Sequence, residues 1–200
     1  MYIIGITGGT GAGKTTVVHA LETFGALPLD CDEIYHELLL SNSDMRAEIE
    51  ARFRDVTTDG EIDRKKLGEI VWKDPASLND LSRITHRFIS AELECRIISF
   101  KAQGGQLAAI DAIALIESGQ NERCDVVVGV IAPQEKRLSR IINRDGLTKE
   151  LAKQRIDAQQ PESFYRENCD YVLENIYDTP EEFEEKCKEF LKALLDKKQD

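Results

Sequence analysis

Two periods of apolar spacing alternate along this chain, and the switches between them lay out an α/β order. Residues 3–7 and 125–132 are β-branched and apolar on both faces, as strands covered by helices on either side require. Between and after them the spacing becomes helical. Thr16 to Phe24 carries apolar residues at 17, 18, 21 and 24, and Gly25 supplies a stop. Residues 26–30 then read as a short strand ending on an acid, and Glu33 to Leu39 as a helix. Residues 42–103 hold no strong strand signal. They predict helices over 44–53, over 64–72 with Asp63 as cap, and over about 75–100, with a turn at Asp59-Gly60. Leu107 to Asp111 is a further strand, followed by a loop over 112–119. Pro133 opens a helix over 134–143, Asp145-Gly146 turns the chain, and Thr148 caps a helix that runs to Gln160, where Pro161 stops it. Residues 170–175 read as a last strand. Thr179-Pro180-Glu181-Glu182 begins a closing helix with Phe183, Cys187, Phe190, Leu191 and Leu194 on one face, and residues 197–200 are expected to fray.

The first strand breaks into Gly8-Gly9-Thr10-Gly11-Ala12-Gly13-Lys14-Thr15-Thr16, which fits the phosphate-binding pattern G-x-x-x-x-G-K-[ST]. Backbone N–H groups converging in a concave loop hold anions, and the positive end of the following helix adds to them. Gly8, Gly11 and Gly13 let the chain wind that closely. Lys14 is expected to set its ammonium against the β and γ phosphates of a nucleotide, and the Thr15 hydroxyl to ligate Mg²⁺. The plain alternative is a glycine turn with a solvated lysine.

Other candidates sit at strand ends. Asp30-Cys31-Asp32 puts two carboxylates where strand becomes helix. Either could be a helix cap; in an α/β sheet an acid at that edge also faces the phosphate loop, where it could deprotonate an attacking hydroxyl. Asp111 closes an apolar strand as a metal-holding carboxylate would, although buried strands often end on Asp. His86 lies beside Arg83 and Arg87, either a small anion site or a solvated face. Arg140 and Arg144, four residues apart, could clamp phosphate oxygens from a mobile lid or be ordinary surface arginines.

Composition narrows the partners. At 200 residues the chain can bury one sizeable core, and 37 acidic against 26 basic residues, a net charge of −11, argue against a nucleic-acid partner. The five cysteines at 31, 95, 124, 169 and 187 are an odd number with no C-x-x-C pair, which suggests neither a disulfide framework nor a zinc site. With no leader-like or membrane-spanning run, a cytosolic setting is expected, and oligomeric state is left open.

Together these residues resemble the dephospho-coenzyme A kinase family. The resemblance runs through Gly5 to Val17, Leu29-Asp30-Cys31-Asp32 (the family's Asp-Ala-Asp), Asp59-Gly60-Glu61-Ile62-Asp63-Arg64, Ile84-Thr85-His86, Arg140 to Gly146, Ala158-Gln159 and Cys169 to Asn175. It implies a three-layer α/β P-loop kinase with a central parallel sheet of about five strands. The nucleotide-binding core is 1–34, 104–139 and 168–200, the substrate-binding insertion 35–103 and the lid 140–167. It implies transfer of the γ-phosphoryl group of ATP, with Mg²⁺, to the 3′-hydroxyl of dephospho-coenzyme A. Asp32 is then the base, with Lys14, Arg140 and Arg144 catalytic; residues 8–16 and Asn175 bind ATP, while Asp32, His86, Asp111 and Glu117 bind the acceptor and Thr15 and Asp111 the metal. Four departures fall near the acceptor segments: residues 111–117 lack the family's proline, Arg87 replaces a proline, His36 an arginine and Ile176 a glycine. They leave open a kinase of another nucleoside or nucleotide. A slowly hydrolysing nucleotide switch is the more distant alternative.

Overall fold

The computed structural model describes residues 1–197, so of the expected frayed end all but Lys197 lies outside the described residues. In chain order the elements are β1 (Tyr2–Gly8), α1 (Lys14–Glu22), β2 (Leu27–Asp30), α2 (Cys31–Ser41), α3 (Ser43–Arg52), β3 (Thr57–Thr58), β4 (Glu61–Ile62), α4 (Arg64–Lys73) and α5 (Pro75–Ala102). They continue as β5 (Leu107–Asp111), β6 (Val126–Ile131), α6 (Gln134–Asp145), α7 (Lys149–Asp157), α8 (Glu162–Asn168), β7 (Tyr171–Glu174) and α9 (Pro180–Asp196). The chain divides into two compact units, Met1–Leu29 with Phe100–Asp200, and Asp30–Ser99.

The first unit is built on a five-stranded sheet of order β2-β5-β1-β6-β7. The strand carrying the glycine loop is therefore central. It pairs in parallel with β5, setting Ile6 beside Asp111, and with β6, setting Gly8 beside Val130. On one face Ile4, Ile6, Ala109, Val128 and Val130 are wholly buried against Val17 and Leu21 of α1 and Phe183, Cys187 and Leu191 of α9. The other face is covered in part by α8, since a Cβ at Gly129 of β6 would lie 3.2 Å from Cβ of Tyr165. That layering explains the continuous apolar runs, because a strand covered on both faces has no solvent side to make polar.

In the second unit short helices are fixed by side-chain caps. Asn42 accepts from the Met45 N–H at 2.8 Å, and Asp63 from Lys65 and Lys66 at 3.0 and 3.1 Å. Met45, Ile49 and Leu93 are wholly buried. Strands β3 and β4 pair antiparallel, Thr57 opposite Ile62, around the expected Asp59-Gly60 turn. This hairpin corrects the expectation of a strandless segment. Two-residue strands are too short to show a period; the turn makes them, with Asp59 and Gly60 both left-handed at φ 53° and 82°. The second correction is α8. Pro161 stands at its N-cap, so the residue read as a stop also begins a helix, one whose seven residues bury only Tyr165.

Candidate active site

The glycine loop is shaped by what surrounds it. Gly8 and Gly13 hold φ of 145° and 112°, where L side chains are strained, and a Cβ would meet the Val130 carbonyl oxygen at 2.2 Å or Asn175 Nδ2 at 2.4 Å. Glycine is thus required both by conformation and by space. Helix α1 starts straight after the loop, its N-cap being Gly13 with no side-chain capping bond. Its first N–H groups, which have no intrahelical acceptor, stay at the loop's mouth for an anion. Lys14 is half-buried there, and Thr15 and Thr16 follow in the first turn, Thr15 exposed.

The loop's carbonyls are taken up elsewhere. Arg137 Nε donates to Thr10 O at 3.0 Å; Arg140 Nη1 donates to Gly11 O at 3.1 Å; Asn175 Nδ2 donates to Ala12 O at 2.9 Å. Asn175 is itself fixed by donating its N–H to Ile131 O at 2.8 Å and by accepting from Arg140 Nη2 at 3.1 Å. Three successive carbonyls tied to outside donors turn the negative ends of those peptides away from an incoming phosphate. Two guanidiniums at the same place add positive charge. Burial pulls the pKa of both Arg137 and Arg140 below the ordinary arginine value.

The two arginines expected to act together are not brought together. Arg140 is engaged by the loop, Asn175 and the Tyr177 carbonyl at 3.0 Å. Arg144 pairs with Asp145 at 2.6 Å, which raises its pKa, and Asp145 also takes Arg155 at 2.6 Å. Arg137 carries no sequence signal that sets it apart from the other arginines of α6; its near-complete burial, 8% exposed, marks it.

The remaining candidates sit at element ends. Asp111 is half-buried at the end of β5, beside the strand that feeds the loop. Ala112 carries the ladder one residue further by donating to Ile6 O at 3.1 Å, although the family's proline is missing from this stretch. Glu117 is exposed and accepts from Gln160 Nε2 at 3.1 Å. Thr15 and Asp111 offer one hydroxyl and one carboxylate, and among the described residues no cluster of three or more His, Cys, Asp or Glu side chains could cage a metal. Two oxygen donors fit Mg²⁺, which keeps waters and takes phosphate oxygens in place of a protein cage.

In the second unit, the choice between Asp30 and Asp32 as helix cap falls to Asp30. Its Oδ1 accepts from the N–H groups of Asp32 and Glu33 at 2.8 and 3.1 Å. The Asp32 carboxylate, exposed in the first turn of α2, is left for other work. His86 is half-buried on α5, and that burial lowers its pKa. Arg87 forms an ion pair with Glu48, and His36 is exposed beside Tyr35 with ring centres 5.6 Å apart.

A central parallel strand running into this glycine loop and an uncapped helix defines the chain as a P-loop kinase of the α/β class. The family model described as dephospho-CoA kinase matches residues 2–181, and the chain belongs to that family. The dephospho-CoA kinase of Geobacter sulfurreducens is 36% identical over 191 residues, covering 94% of this chain and 96% of that one. Among solved structures, TT1252 from Thermus thermophilus has a TM-score of 0.81 at 30% identity, covering 98% of this chain and 97% of its own. Dephospho-CoA kinase from Campylobacter jejuni shares the fold, with a TM-score of 0.68 at 24% identity over 96% of both chains.

Proposed function

We propose that this chain transfers the γ-phosphoryl group of ATP to the ribose 3′-hydroxyl of dephospho-coenzyme A, giving ADP and coenzyme A. The observation that carries the reading is the loop whose Thr10, Gly11 and Ala12 carbonyls are held outward by Arg137, Arg140 and Asn175, which leaves to phosphates those of its N–H groups that are not bonded to Gln159 or Gly9. Family membership supports the acceptor, since the relatives matched over most of their length are named for it. Another nucleoside or nucleotide as acceptor, or a slow switch, is not favoured by these matches.

In the reaction the acceptor oxygen forms a bond to the γ-phosphorus as the bond from that phosphorus to the β–γ bridging oxygen breaks, and ADP leaves. Such a transfer asks mainly for positioning and for charge stabilisation. Residues 8–16 enclose the triphosphate, with the Lys14 ammonium against its β and γ groups. Arg140 and Asn175 hold the cradle open from outside. Thr15 and Asp111 would hold Mg²⁺, which when bound neutralises phosphate charge. Asp32, relieved of capping duty by Asp30, takes the hydroxyl proton, while His86, Asp111 and Glu117 are assigned to the acceptor and Arg144 to the lid. The acidic balance of the chain speaks against a nucleic-acid partner, and five cysteines without a C-x-x-C pair accord with a reducing cytosol.

A coupled ADP-release assay decides the acceptor. Turnover is expected with dephospho-coenzyme A, and release with adenosine or nucleoside monophosphates alone would sink the assignment. Lys14→Ala is expected to lower kcat by about 10²–10³. Asp32→Asn is expected to lower it by about 10²–10⁴ with ATP affinity unchanged; an ordinary kcat in that variant would remove Asp32 as the base.

A further inference from the structure

Every polar group of Thr10, a residue inside the phosphate loop, is engaged by side chains from far along the chain. Its N–H donates to Gln159 Oε1 at 2.9 Å, its hydroxyl oxygen accepts from Gln159 Nε2 at 2.6 Å, and its carbonyl accepts from Arg137 Nε at 3.0 Å. Arg137 Nη2 also donates to Gln159 Oε1 at 2.7 Å. With two N–H donors aimed at Oε1, the Gln159 amide has one workable orientation, because turning it would set its NH₂ against both. The three side chains therefore close a ring in which no member can rotate without breaking at least one bond.

The neighbouring glycine is fitted to this ring. A Cβ on Gly9 would lie 2.3 Å from Arg137 Nη2 and 2.9 Å from Gln159 Oε1, so only glycine admits them against the loop. The phosphate-binding pattern does not ask for glycine at that position. Helix α7 ends at Asp157, which releases Gln159 from helical geometry, and Ile141, Ala152 and Ile156 pack α6 on α7 in a small core of their own. Both arms of the ring thus come from one packed helix pair.

We propose that Gln159 is a positioning residue for the phosphate donor: with Arg137 it clamps the Thr10 peptide, so that the loop's other free N–H groups stay turned toward the triphosphate. The four hydrogen bonds of the ring run between Thr10 of the phosphate loop and the two side chains that hold it. Losing it is therefore felt in nucleotide affinity and not in acceptor affinity. The inference rests on the reading of the loop as the ATP site. Its test separates the two by measuring nucleotide binding without acceptor.

Titration of the full chain with a non-hydrolysable ATP analogue and Mg²⁺ is expected to show Gln159→Leu binding about tenfold more weakly than the native protein, the loss of roughly 1.4 kcal/mol. Its KM for dephospho-coenzyme A is expected to stay within about twofold of the native value. Gln159→Glu keeps the oxygen that accepts from Thr10 and Arg137, and is expected to bind the analogue more tightly than the Leu variant. Thr10→Val removes only the hydroxyl arm and is expected to fall between native and Leu; it carries the test if the Leu variant does not fold. Native analogue affinity in Gln159→Leu, equal affinities of the Leu and Glu variants, or a parallel rise of both KM values with a falling thermal midpoint would each overturn the proposal. If the native protein binds the analogue but releases no ADP with dephospho-coenzyme A, the acceptor assignment fails and the clamp stands.

Discussion

At the residue scale, neighbours in sequence do different work. Asp30 and Asp32 are indistinguishable as caps in the sequence, because either carboxylate lies within reach of the first turn of α2. The backbone decides, placing Asp30 in extended geometry with its oxygen on two N–H groups. Asp30→Ala is accordingly expected to cost about 1 kcal/mol of stability in urea unfolding, and Asp32→Asn to cost little; the reverse order would contradict the capping assignment. The same division holds for the arginines on α6. Spacing alone groups Arg140 with Arg144, but Arg140 finds loop carbonyls and Arg144 finds Asp145. Their partners lie far apart in the chain for one and adjacent for the other, and a helical period reports neither.

At the element scale, the long helices and buried strands were legible because each repeats its pattern over several turns or residues. Helix α9 shows this well. Its apolar face packs on α1 and the sheet, and its start is closed by a capping box in which Thr179 and Glu182 bond reciprocally at 3.3 Å. Leu191 is wholly buried, so Leu191→Ala is expected to lose about 2–5 kcal/mol in equilibrium unfolding, whereas a change at the exposed Leu151 is expected to stay within about 0.5 kcal/mol. The β3–β4 hairpin and α8 were not legible. Too few residues carry their pattern, and a turn with two left-handed residues or a single buried tyrosine does the organising.

At the scale of the whole molecule, charge sets how stability follows pH. Asp63, Asp74, Asp80, Asp145 and Asp178 are held below the usual carboxylate range, Asp63 chiefly by the Lys66 N–H and the others by hydrogen bonds from side chains, Arg52, Arg144 and Lys136 among them. Their folded pKa values lie below the unfolded ones. The stability they give is therefore complete above about pH 4 and is lost as pH falls through the folded values. His86 acts in a higher window, since burial lowers its pKa and the unfolded chain takes up its proton first, below about pH 6.5. Urea unfolding at pH 8 and pH 5 is expected to show a smaller drop for His86→Gln than for the native chain; an equal drop would place the imidazole in an environment no drier than water. The sequence by itself determined the α/β order and the phosphate-loop chemistry, because strand and helix periods and a glycine-rich anion cradle are written in contiguous residues. Only the tertiary structure decided which side chains hold that cradle in shape. Arg137, Arg140, Gln159 and Asn175 reach the loop across more than a hundred residues of chain, and their roles follow from burial and hydrogen-bond geometry that no local pattern encodes.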